Sequence, residues 1–533
     1  MPASIALTHG RIYTLDPARP TATAVAIRDG HIVGVGGDDE MKALLGQGAE
    51  WIHLGGRFVT PGLVDAHVHF QHFALSLRNV DLDGAPTRQA ALDRVVSFNN
   101  DKEDTGWLRG RGWSQDAWPD RAFPTAADLD GIVSNRPVYL SHKSGHAAWV
   151  NSQALKVAHV DEHTADPPGG HIQRDEAGRP TGILFEDAMN LVAAHIPRPT
   201  PAEIADAMRT AQSYCWSVGL TGLHDFDGRD CFVALQMLRE ANELGLRVVK
   251  NVPVYRLEYA LGVGLRSGFG DDWLRIGGVK LFADGALGSR TAAMIAPYEG
   301  EPDNLGIVVT DKEEMLDKAR QASAGGLSLT IHAIGDRANH DVLDVYEFLR
   351  REEKERHTPR LRHRIEHVQV LHPGDLNRLA ALDVVASMQP IHATSDIDMA
   401  ERYWGARARY SYAWRTMWDS GALVVFGSDA PVERIDPLLG IHAAVTRQRA
   451  NGYPGVEGWY PQERLELEEA LYAFTRAAAI TAGQKKTQGS ISPGSLADLT
   501  IFDQDLFDVP PHELLEVGIA GTIVGGTFRY RTW

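Results

Sequence analysis

The sequence contains only two cysteines, Cys215 and Cys231, among 533 residues. They form neither a Cys-x-x-Cys motif nor another zinc-ligand spacing, and two thiols cannot supply a disulfide framework, so we expect a reducing compartment. The first residues lack the basic region and apolar run of a secretory signal. No stretch reaches the ~18 consecutive apolar residues of a membrane-spanning helix. These absences together predict a soluble, cytoplasmic protein.

Basic residues are also in short supply, with 53 Lys and Arg against 70 Asp and Glu and a formal net charge of −17. Nucleic acids and anionic membranes bind through basic patches, so we expect neither as a partner and predict a small-molecule substrate instead. Hydrophobic residues make up 44% of the chain and charged residues 23%, which is typical of a globular protein. A chain of 533 residues exceeds a usual single core, so we expect at least two domains.

Short strand-like runs occur near both ends of the sequence. They lie at 11–15, 24–28, 31–35, 497–502 and 522–530. Asp29-Gly30, between two of these runs, predicts a two-residue type I′ hairpin turn. Because so small a sheet is not stable alone, we predict that residues 1–58 and 486–533 together form one β-sandwich domain.

Between the two ends, apolar β-rich runs alternate with helical patterns, such as those at 231–244 and 338–351, which is typical of βα units. The strand-like runs lie at 63–70, 220–226, 246–253, 276–283, 327–333, 363–369, 384–389 and 423–428. Eight such units predict an α/β fold, a TIM-like (β/α)8 barrel over residues 59–485. The active site of such a barrel lies at the carboxyl ends of its strands.

The interval between the first two predicted strands, residues 71–219, is far longer than one helical unit needs. We therefore predict an insertion at about 83–200. An insertion in a βα loop emerges on the catalytic face, so this segment is interpreted as a lid. Its residues Trp113, His146 and Trp149 are then candidates for substrate binding. A surface module without a role in the site remains an open alternative.

Polar side chains cluster at the carboxyl ends of the predicted barrel strands. The candidate metal ligands among them are His67, His69, Lys280, His332, His367 and Asp429. His67 and His69 are two residues apart on one strand, so their side chains share a face and could bind one metal ion. The whole set suits one or two divalent ions. Any single member could instead be structural, and His224 at the end of the second strand could be a hydrogen-bonded core histidine.

Motifs spread along the chain carry a family resemblance. They are Thr-Pro-Gly-Leu-Val-Asp-Ala-His-Val-His at 60–69, Gly-His-Ala-Ala-Trp-Val-Asn-Ser at 145–152, Phe-Ala-Asp-Gly-Ala-Leu-Gly-Ser-Arg-Thr-Ala-Ala at 282–293, His-Ala-Ile-Gly-Asp-Arg-Ala at 332–338, Arg-Ile-Glu-His-Val-Gln at 364–369, Ser-Met-Gln-Pro-Ile-His at 387–392 and Gly-Ser-Asp-Ala-Pro-Val at 427–432. On these motifs the chain resembles the amidohydrolase superfamily of metal-dependent hydrolases. Within it, the chain is most similar to the YtcJ-like branch, which includes N-substituted formamide deformylase.

The resemblance implies a role for each candidate ligand. His67 and His69 would bind the more buried metal together with Asp429, and two further histidines, His332 and His367, would bind a second metal. Lys280 would bridge both metals as a carbamate formed with carbon dioxide, because a buried lysine loses its proton readily. We expect zinc. A salt bridge between Lys280 and Asp284 is the open alternative to the carbamate.

The resemblance also implies hydrolysis of an amide-type C–N bond, as in an N-formyl or N-acyl amine. Metal-activated water would attack the carbonyl, and Asp429 would act as the catalytic proton acceptor and donor. Arg290 and His392 join the lid residues as candidates for substrate binding. Hydrolysis of an ester, lactone or phosphotriester, and a non-catalytic scaffold, are the alternatives. A homodimer is expected from the resemblance alone.

Overall fold

The computed structural model describes residues 5–45, 48–100 and 106–533. The chain divides into two compact units. Unit 1 joins Met1–Phe73 to Met208–Trp533, and unit 2 is Ala74–Ala207.

Strands and α-helices alternate along most of the chain. The strands are β1 (Ile5–Thr8), β2 (Arg11–Tyr13), β3 (Thr21–Ala22), β4 (Ala24–Arg28), β5 (His31–Gly36), β6 (Glu50–His53), β7 (Phe58–Pro61), β8 (Leu63–Val68), β9 (Val80–Asp81), β10 (Leu108–Trp113), β11 (Val138–His142), β12 (Ala147–Val150), β13 (Gly170–Arg174), β14 (Pro180–Glu186), β15 (Leu220–Asp225), β16 (Arg247–Pro253), β17 (Leu274–Phe282), β18 (Leu329–Ala333), β19 (Arg364–His367), β20 (Val385–Met388), β21 (Val424–Phe426), β22 (Leu499–Phe502), β23 (Ile519–Val524) and β24 (Thr527–Arg531). The helices are α1 (Asp38–Leu45), α2 (Phe70–Ser76), α3 (Arg88–Asn100), α4 (Ala126–Asp130), α5 (Ser152–Val157), α6 (Met189–Ala193), α7 (Pro201–Ser217), α8 (Arg229–Glu240), α9 (Leu257–Gly262), α10 (Lys312–Ala324), α11 (Asp336–Glu355), α12 (Arg378–Leu382), α13 (Pro390–Ser395), α14 (Ile397–Trp404), α15 (Trp414–Asp419), α16 (Pro437–Thr446), α17 (Leu467–Ala473) and α18 (Arg476–Thr481).

The centre of unit 1 is a parallel sheet of eight strands in the order β8-β15-β16-β17-β18-β19-β20-β21. These are the eight strands that the sequence predicts, and their order in the sheet is their order in the chain. The TIM-like (β/α)8 barrel is thereby confirmed. Most residues of these strands are buried on both faces, as expected for a parallel sheet covered by helices.

The barrel closes where β8 meets the chain that follows β21. The backbone N–H of Asp429 donates to the His67 carbonyl at 2.7 Å, and the N–H of His69 donates to the Ala430 carbonyl at 2.9 Å. The buried carboxylate of Asp65 joins the same two segments, because its Oδ1 accepts from the N–H groups of His67 and Ser428, each at 3.0 Å. The two ends of the sheet are therefore fixed to each other at one seam.

Both ends of the chain contribute to a two-sheet β-module in unit 1. The sheet orders are β5-β4-β1-β6 and β24-β23-β22-β7-β2-β3, and apolar side chains from both termini share one core. Asp29 and Gly30 both have positive φ, 54° and 75°, as the predicted type I′ turn requires. The strand-like run predicted at 522–530 covers parts of two strands, β23 and β24, because Gly525-Gly526, at φ 60° and 74°, forms a turn between them.

Unit 2 contains a mixed six-stranded sheet in the order β13-β14-β12-β11-β10-β9. The unit spans residues 74–207, which is wider at both ends than the insertion expected at 83–200. Its largest core cluster is rich in tryptophan and includes Trp113, Trp118 and Trp149. The function of this segment as a lid stays a prediction.

The two cysteines are buried free thiols, Cys215 in α7 and Cys231 in α8. Burial raises the pKa of both thiols, so they stay protonated near neutral pH. No helix among the described residues combines the length and the apolar character needed to cross a membrane.

Closure of the barrel predicts an effect of Gly427→Ala. A Cβ at this position would lie 2.4 Å from the His67 backbone nitrogen and 2.7 Å from Asp65 Oδ1, so the seam would have to open. We expect a loss of about 1–3 kcal/mol in the free energy of unfolding, as for other overpacked sites. Thermal and denaturant unfolding would measure it. Gly262→Ala is the control, because its Cβ would meet nothing within 4 Å. Equal stability of the two variants would contradict the close packing at the seam.

Candidate metal centre

The strand ends at the barrel seam bring three candidate ligands together. His67 and His69 come from the end of β8, and Asp429 follows β21. Asp429 Oδ1 lies 3.5 Å from Nε2 of His67 and 3.5 Å from Nε2 of His69. His67 and Asp429 are buried, and His69 is half-buried. Three ligand atoms thus face one point on the carboxyl side of the barrel.

Two of the atoms that face this point lack hydrogen-bond partners. Among the described residues, His67 Nε2 and Asp429 Oδ1 are both buried and unpaired. Burying such groups without a partner is costly. Two imidazole lone pairs and a carboxylate oxygen cannot bond to one another, but they are the ligands that a divalent cation such as zinc accepts. The residues therefore fit a metal ion held by His67, His69 and Asp429.

Both histidines are oriented by carboxylates on their other ring nitrogen. His67 Nδ1 donates to Glu366 Oε2 at 2.6 Å, and His69 Nδ1 donates to Asp227 Oδ1 at 3.0 Å. This pairing leaves Nε2 of each ring free as a lone-pair donor, the arrangement found around metal-binding histidines. Glu366 is held in turn by the buried guanidinium of Arg364, whose Nη2 donates to Oε2 at 2.9 Å.

A second group of ligand atoms shares the Asp429 carboxylate. It consists of His367, His392 and Asp429, whose ligand atoms lie within 4.8 Å of one another. Nδ1 of His367 donates to Gln389 Oε1 at 2.8 Å, which leaves its Nε2 available. His392 Nε2 is buried, unpaired and 3.8 Å from Asp429 Oδ2. The structure thus places His392, predicted only as a substrate-binding residue, directly beside the candidate ligands.

The His332 ring lies beside that of His367, but His332 does not belong to the group of converging ligand atoms. Its ring centre is 4.5 Å from that of His367, and its Nε2 donates to the Gly285 carbonyl at 2.9 Å. Because Nε2 is used in that hydrogen bond, Nδ1 is the His332 nitrogen that could bind a metal. The predicted pairing of His332 with His367 at a second metal stays a prediction.

Lys280 on β17 is a buried amine between aromatic rings. Its Nζ lies 4.7 Å from the centre of the Phe226 ring and 4.8 Å from that of Phe282. Among the described residues, no carboxylate lies within 4.0 Å of this nitrogen. The salt bridge to Asp284 left open by the sequence is not formed, because the Asp284 carboxylate accepts backbone N–H groups, among them that of Gly335 at 2.8 Å. Burial lowers the pKa of Lys280 to about 8.

Burial also sets the charges of the histidines. It lowers the pKa of His67 and of His367 well below the usual value, and that of His332 to about 3. These rings are therefore neutral at pH 7, the form that binds metal. Burial raises the pKa of Asp429 because it disfavours the charged carboxylate. A nearby cation would stabilise that charged form.

Two candidate ligands adopt left-handed backbone conformations, His367 at φ 78° and Asp429 at φ 61°. Histidine and aspartate enter this region more often than most residues other than glycine, but holding such a residue there costs of order 1–3 kcal/mol. Both residues lie at the ends of strands, where the change in backbone direction re-aims the side chain. Such strain is concentrated at functional sites.

The predicted substrate-binding residues outside this group have other partners. The indoles of Trp113 and Trp149 are fully buried in the core of unit 2, where their N–H groups donate to the carbonyls of Leu140 and Thr125. Their contact with substrate stays a prediction, and their burial in unit 2 does not support it.

His146 and Arg290 contact carboxylates at more exposed positions. His146 Nδ1 lies 3.0 Å from Glu186 Oε2, and Arg290 Nε lies 2.8 Å from Glu301 Oε1. Their substrate-binding roles also stay predictions. His224 is a buried core histidine whose Nδ1 accepts a hydrogen bond from Arg364 at 3.0 Å, as the structural alternative expected.

Several residues of the site were missed by the sequence analysis. Glu366, Asp227 and Gln389 orient candidate ligands, and the Phe226 ring stacks on His67 with ring centres 4.1 Å apart. A usable signal existed for Glu366, a carboxylate that directly precedes the candidate ligand His367 in the sequence. The other three follow strand ends but carry no distinctive spacing.

Comparison with known proteins identifies the family. Residues 50–530 match the Amidohydrolase family. The chain belongs to this family. It is therefore a member of the metal-dependent amidohydrolases, and the predicted resemblance is confirmed.

Individual relatives match over almost their full length. Protein LONG AFTER FAR-RED 3 of Arabidopsis thaliana is 34% identical over 99% of this chain and 92% of its own. YtcJ of Bacillus subtilis is 32% identical over 98% of this chain and 99% of its own. N-substituted formamide deformylase of Arthrobacter pascens is 29% identical over 98% of each. The solved structure of an uncharacterized metal-dependent hydrolase from Pyrococcus horikoshii superposes with a TM-score of 0.79 at 28% identity, covering 96% of this chain and 99% of that one.

A matched pair of variants tests the first cluster. His69 and His72 both bond to Asp227 Oδ1 through Nδ1, at 3.0 and 2.6 Å. Of these two, His69 is the ring whose Nε2 faces Asp429, and the His72 side chain is 62% exposed. We expect His69→Ala to lose the tightly bound metal and His72→Ala to keep it, measured by elemental analysis after dialysis. Loss of metal from His72→Ala instead would move the ion to the neighbouring group of His69, His72 and Asp227.

Proposed function

We propose that this chain hydrolyses an amide-type C–N bond of a small molecule, of the N-formyl or N-acyl amine class. The observation that carries the proposal is the convergence of unpaired buried atoms from His67 and Asp429, with His69 beside them, on one point at the barrel mouth. The similarity to N-substituted formamide deformylase supports this substrate class. Activity towards esters, lactones or phosphotriesters has no comparable support.

A divalent cation held by His67, His69 and Asp429, which we propose to be zinc, supplies a Lewis acid that polarises a carbonyl and lowers the pKa of water. The protein residues then handle the proton. The Asp429 carboxylate accepts the proton of the attacking water and returns it to the leaving nitrogen. His392, whose unpaired Nε2 lies 3.8 Å from Asp429 Oδ2, can donate a hydrogen bond to substrate on the same side.

An aromatic wall suits the apolar part of the substrate. Phe282 ends β17 and is 44% exposed, and its ring centre lies 5.1 Å from that of His332. An exposed aromatic ring next to candidate ligands gives an apolar N-substituent a surface to bind. We therefore assign the contact with the apolar group to Phe282 rather than to Trp113 or Trp149.

Lys280 is proposed to carry a carbamate. Its amine is buried without a carboxylate partner, and burial lowers its pKa to about 8, so a neutral fraction exists at pH 7. The neutral amine attacks carbon dioxide, a C–N bond forms, and one proton leaves to solvent. The product is an anion whose two oxygens can bind metal.

A substrate panel tests the reaction class. Zinc-loaded protein is assayed with N-formyl amines, N-acyl amines, esters, lactones and phosphotriesters that share one apolar group. We expect the highest kcat/KM for an N-formyl or N-acyl amine and a loss of at least about 100-fold in Asp429→Asn, since general acid–base catalysis contributes about that much. Full turnover by protein proven metal-free would contradict the mechanism. Preference for an ester or phosphotriester would contradict the substrate class.

Lys280→Ala tests the carbamate. We expect loss of most activity and partial rescue by small carboxylates such as acetate, which offer the same two oxygens. Lys280→Glu should retain more metal than Lys280→Ala, because it keeps an anion at this position. Labelling the wild type with carbon-13 bicarbonate gives an independent signal. A plain ammonium in active, metal-loaded protein, or variants that lose only stability and are not rescued, would rule the carbamate out.

A further inference from the structure

A second buried lysine, Lys250 on β16, is linked to the metal centre without belonging to it. Its side chain is 2% exposed, and Nζ lies 2.8 Å from Asp225 Oδ2. The same ammonium donates to the carbonyl of Asn251 at 2.8 Å and to the carbonyl of Asp227. An ammonium has three protons. All three are used here, so this lysine has no free donor for a substrate.

The oxygens bound by Lys250 belong mainly to the turn at residues 225–227. Asp225 fixes that turn further, because its Oδ1 accepts from the Phe70 backbone N–H at 2.8 Å and its Oδ2 accepts from the Asp227 N–H at 3.1 Å. Lys250 therefore holds the turn at two points, one through the Asp225 carboxylate and one through the Asp227 carbonyl.

Asp227, the last residue of the turn, orients His69. Its Oδ1 accepts from His69 Nδ1 at 3.0 Å, and its Oδ2 accepts from the Gln71 backbone N–H at 2.7 Å. With both carboxylate oxygens engaged, the His69 ring is held with Nε2 3.5 Å from Asp429 Oδ1. An unbroken series of hydrogen bonds thus connects Lys250 to a candidate ligand.

We propose that Lys250 is a positioning residue of the metal centre, which fixes the turn so that Asp227 holds His69 ready for the cation. The inference rests on the proposed role of His69 as a ligand. A buried ion pair is weak support for stability, since apolar replacements are often as stable. The Lys250 ammonium instead binds three oxygens, which belong to Asp225, Asp227 and Asn251, and so favours one backbone conformation of the turn.

The same strand carries a matched ion pair that serves as a control. Arg247 begins β16, and its Nε and Nη2 bind Asp498 at 3.0 Å each, with side chains 8% and 10% exposed. The guanidinium also stacks on Trp273, 3.9 Å from the ring centre. Neither Asp498 nor Trp273 contacts a candidate ligand among the described residues. Losing this pair should affect stability alone.

The experiment compares zinc affinity in Lys250→Met and Arg247→Met, using competition with a chromophoric chelator and the absorption spectrum of the cobalt(II)-loaded proteins. We expect about tenfold weaker binding of the tightest zinc in Lys250→Met, as for partners of metal-ligating histidines, with an altered cobalt spectrum. Arg247→Met should lower only the melting temperature. The double variant Lys250→Met/Asp225→Asn leaves no unpaired charge, so it keeps the measurement possible if the single variant fails to fold.

A double-mutant cycle shows whether Lys250 acts through Asp227. Asp227→Asn should weaken zinc binding by itself, and adding Lys250→Met should then change the affinity little, because both act on the same histidine. Additive losses would overturn the positioning role. So would wild-type zinc affinity in both Lys250 variants, or an equal loss in Arg247→Met.

These readouts separate the inference from the proposed function. Zinc affinity is measured without a substrate, so a chain that binds zinc through His69 but fails to cleave amides would still allow the test. If His69→Ala bound zinc like the wild type, the metal assignment itself would fail. If His69→Ala lost zinc but the Lys250 variants bound zinc as tightly as the wild type, only the positioning role would be rejected.

Discussion

The hydrogen bonds that close the barrel determine whether a metal centre can exist in this protein. Asp429 follows the last barrel strand and His67 is the second-last residue of the first, so they meet only if the seam is closed. The N–H of Asp429 donates to the His67 carbonyl at 2.7 Å, which holds the Asp429 carboxylate close to the imidazole rings. Asp65 strengthens the same junction from the buried side. The same hydrogen bonds that close the barrel therefore also set the geometry of the site.

Near the seam, two buried cations are paired with carboxylates. Arg364 is paired with Glu366, and Lys250 with Asp225. Lys280 instead faces two aromatic rings, a weak substitute for an anion in a desolvated site. The proposed carbamate on Lys280 would replace this buried amine with an anion, whose oxygens could bind a divalent cation.

The barrel could be predicted from sequence because most of its strands lie in local apolar runs. The order of these parallel strands in the sheet is also their order in the chain. The convergence of His67, His69 and Asp429 could be predicted for the same reason, since strand ends meet in a closed barrel. Their orientation could not. His67 is held by Glu366, 299 residues away in the chain, and His69 by Asp227, 158 residues away. No local pattern marks either carboxylate as the partner of a particular ring.

The tryptophans of unit 2 show how little a local pattern says about the partners of a side chain, and their contact with substrate stays a prediction. Trp113 and Trp149 lie in motifs that contain glycine and polar residues. An indole buries a large apolar area and needs only one acceptor for its N–H. Both find that acceptor on a backbone carbonyl inside their own core. Phe282 has no such core to enter. Because it ends β17 half-exposed beside His332, the aromatic contact with substrate is better sought on the barrel than among buried indoles.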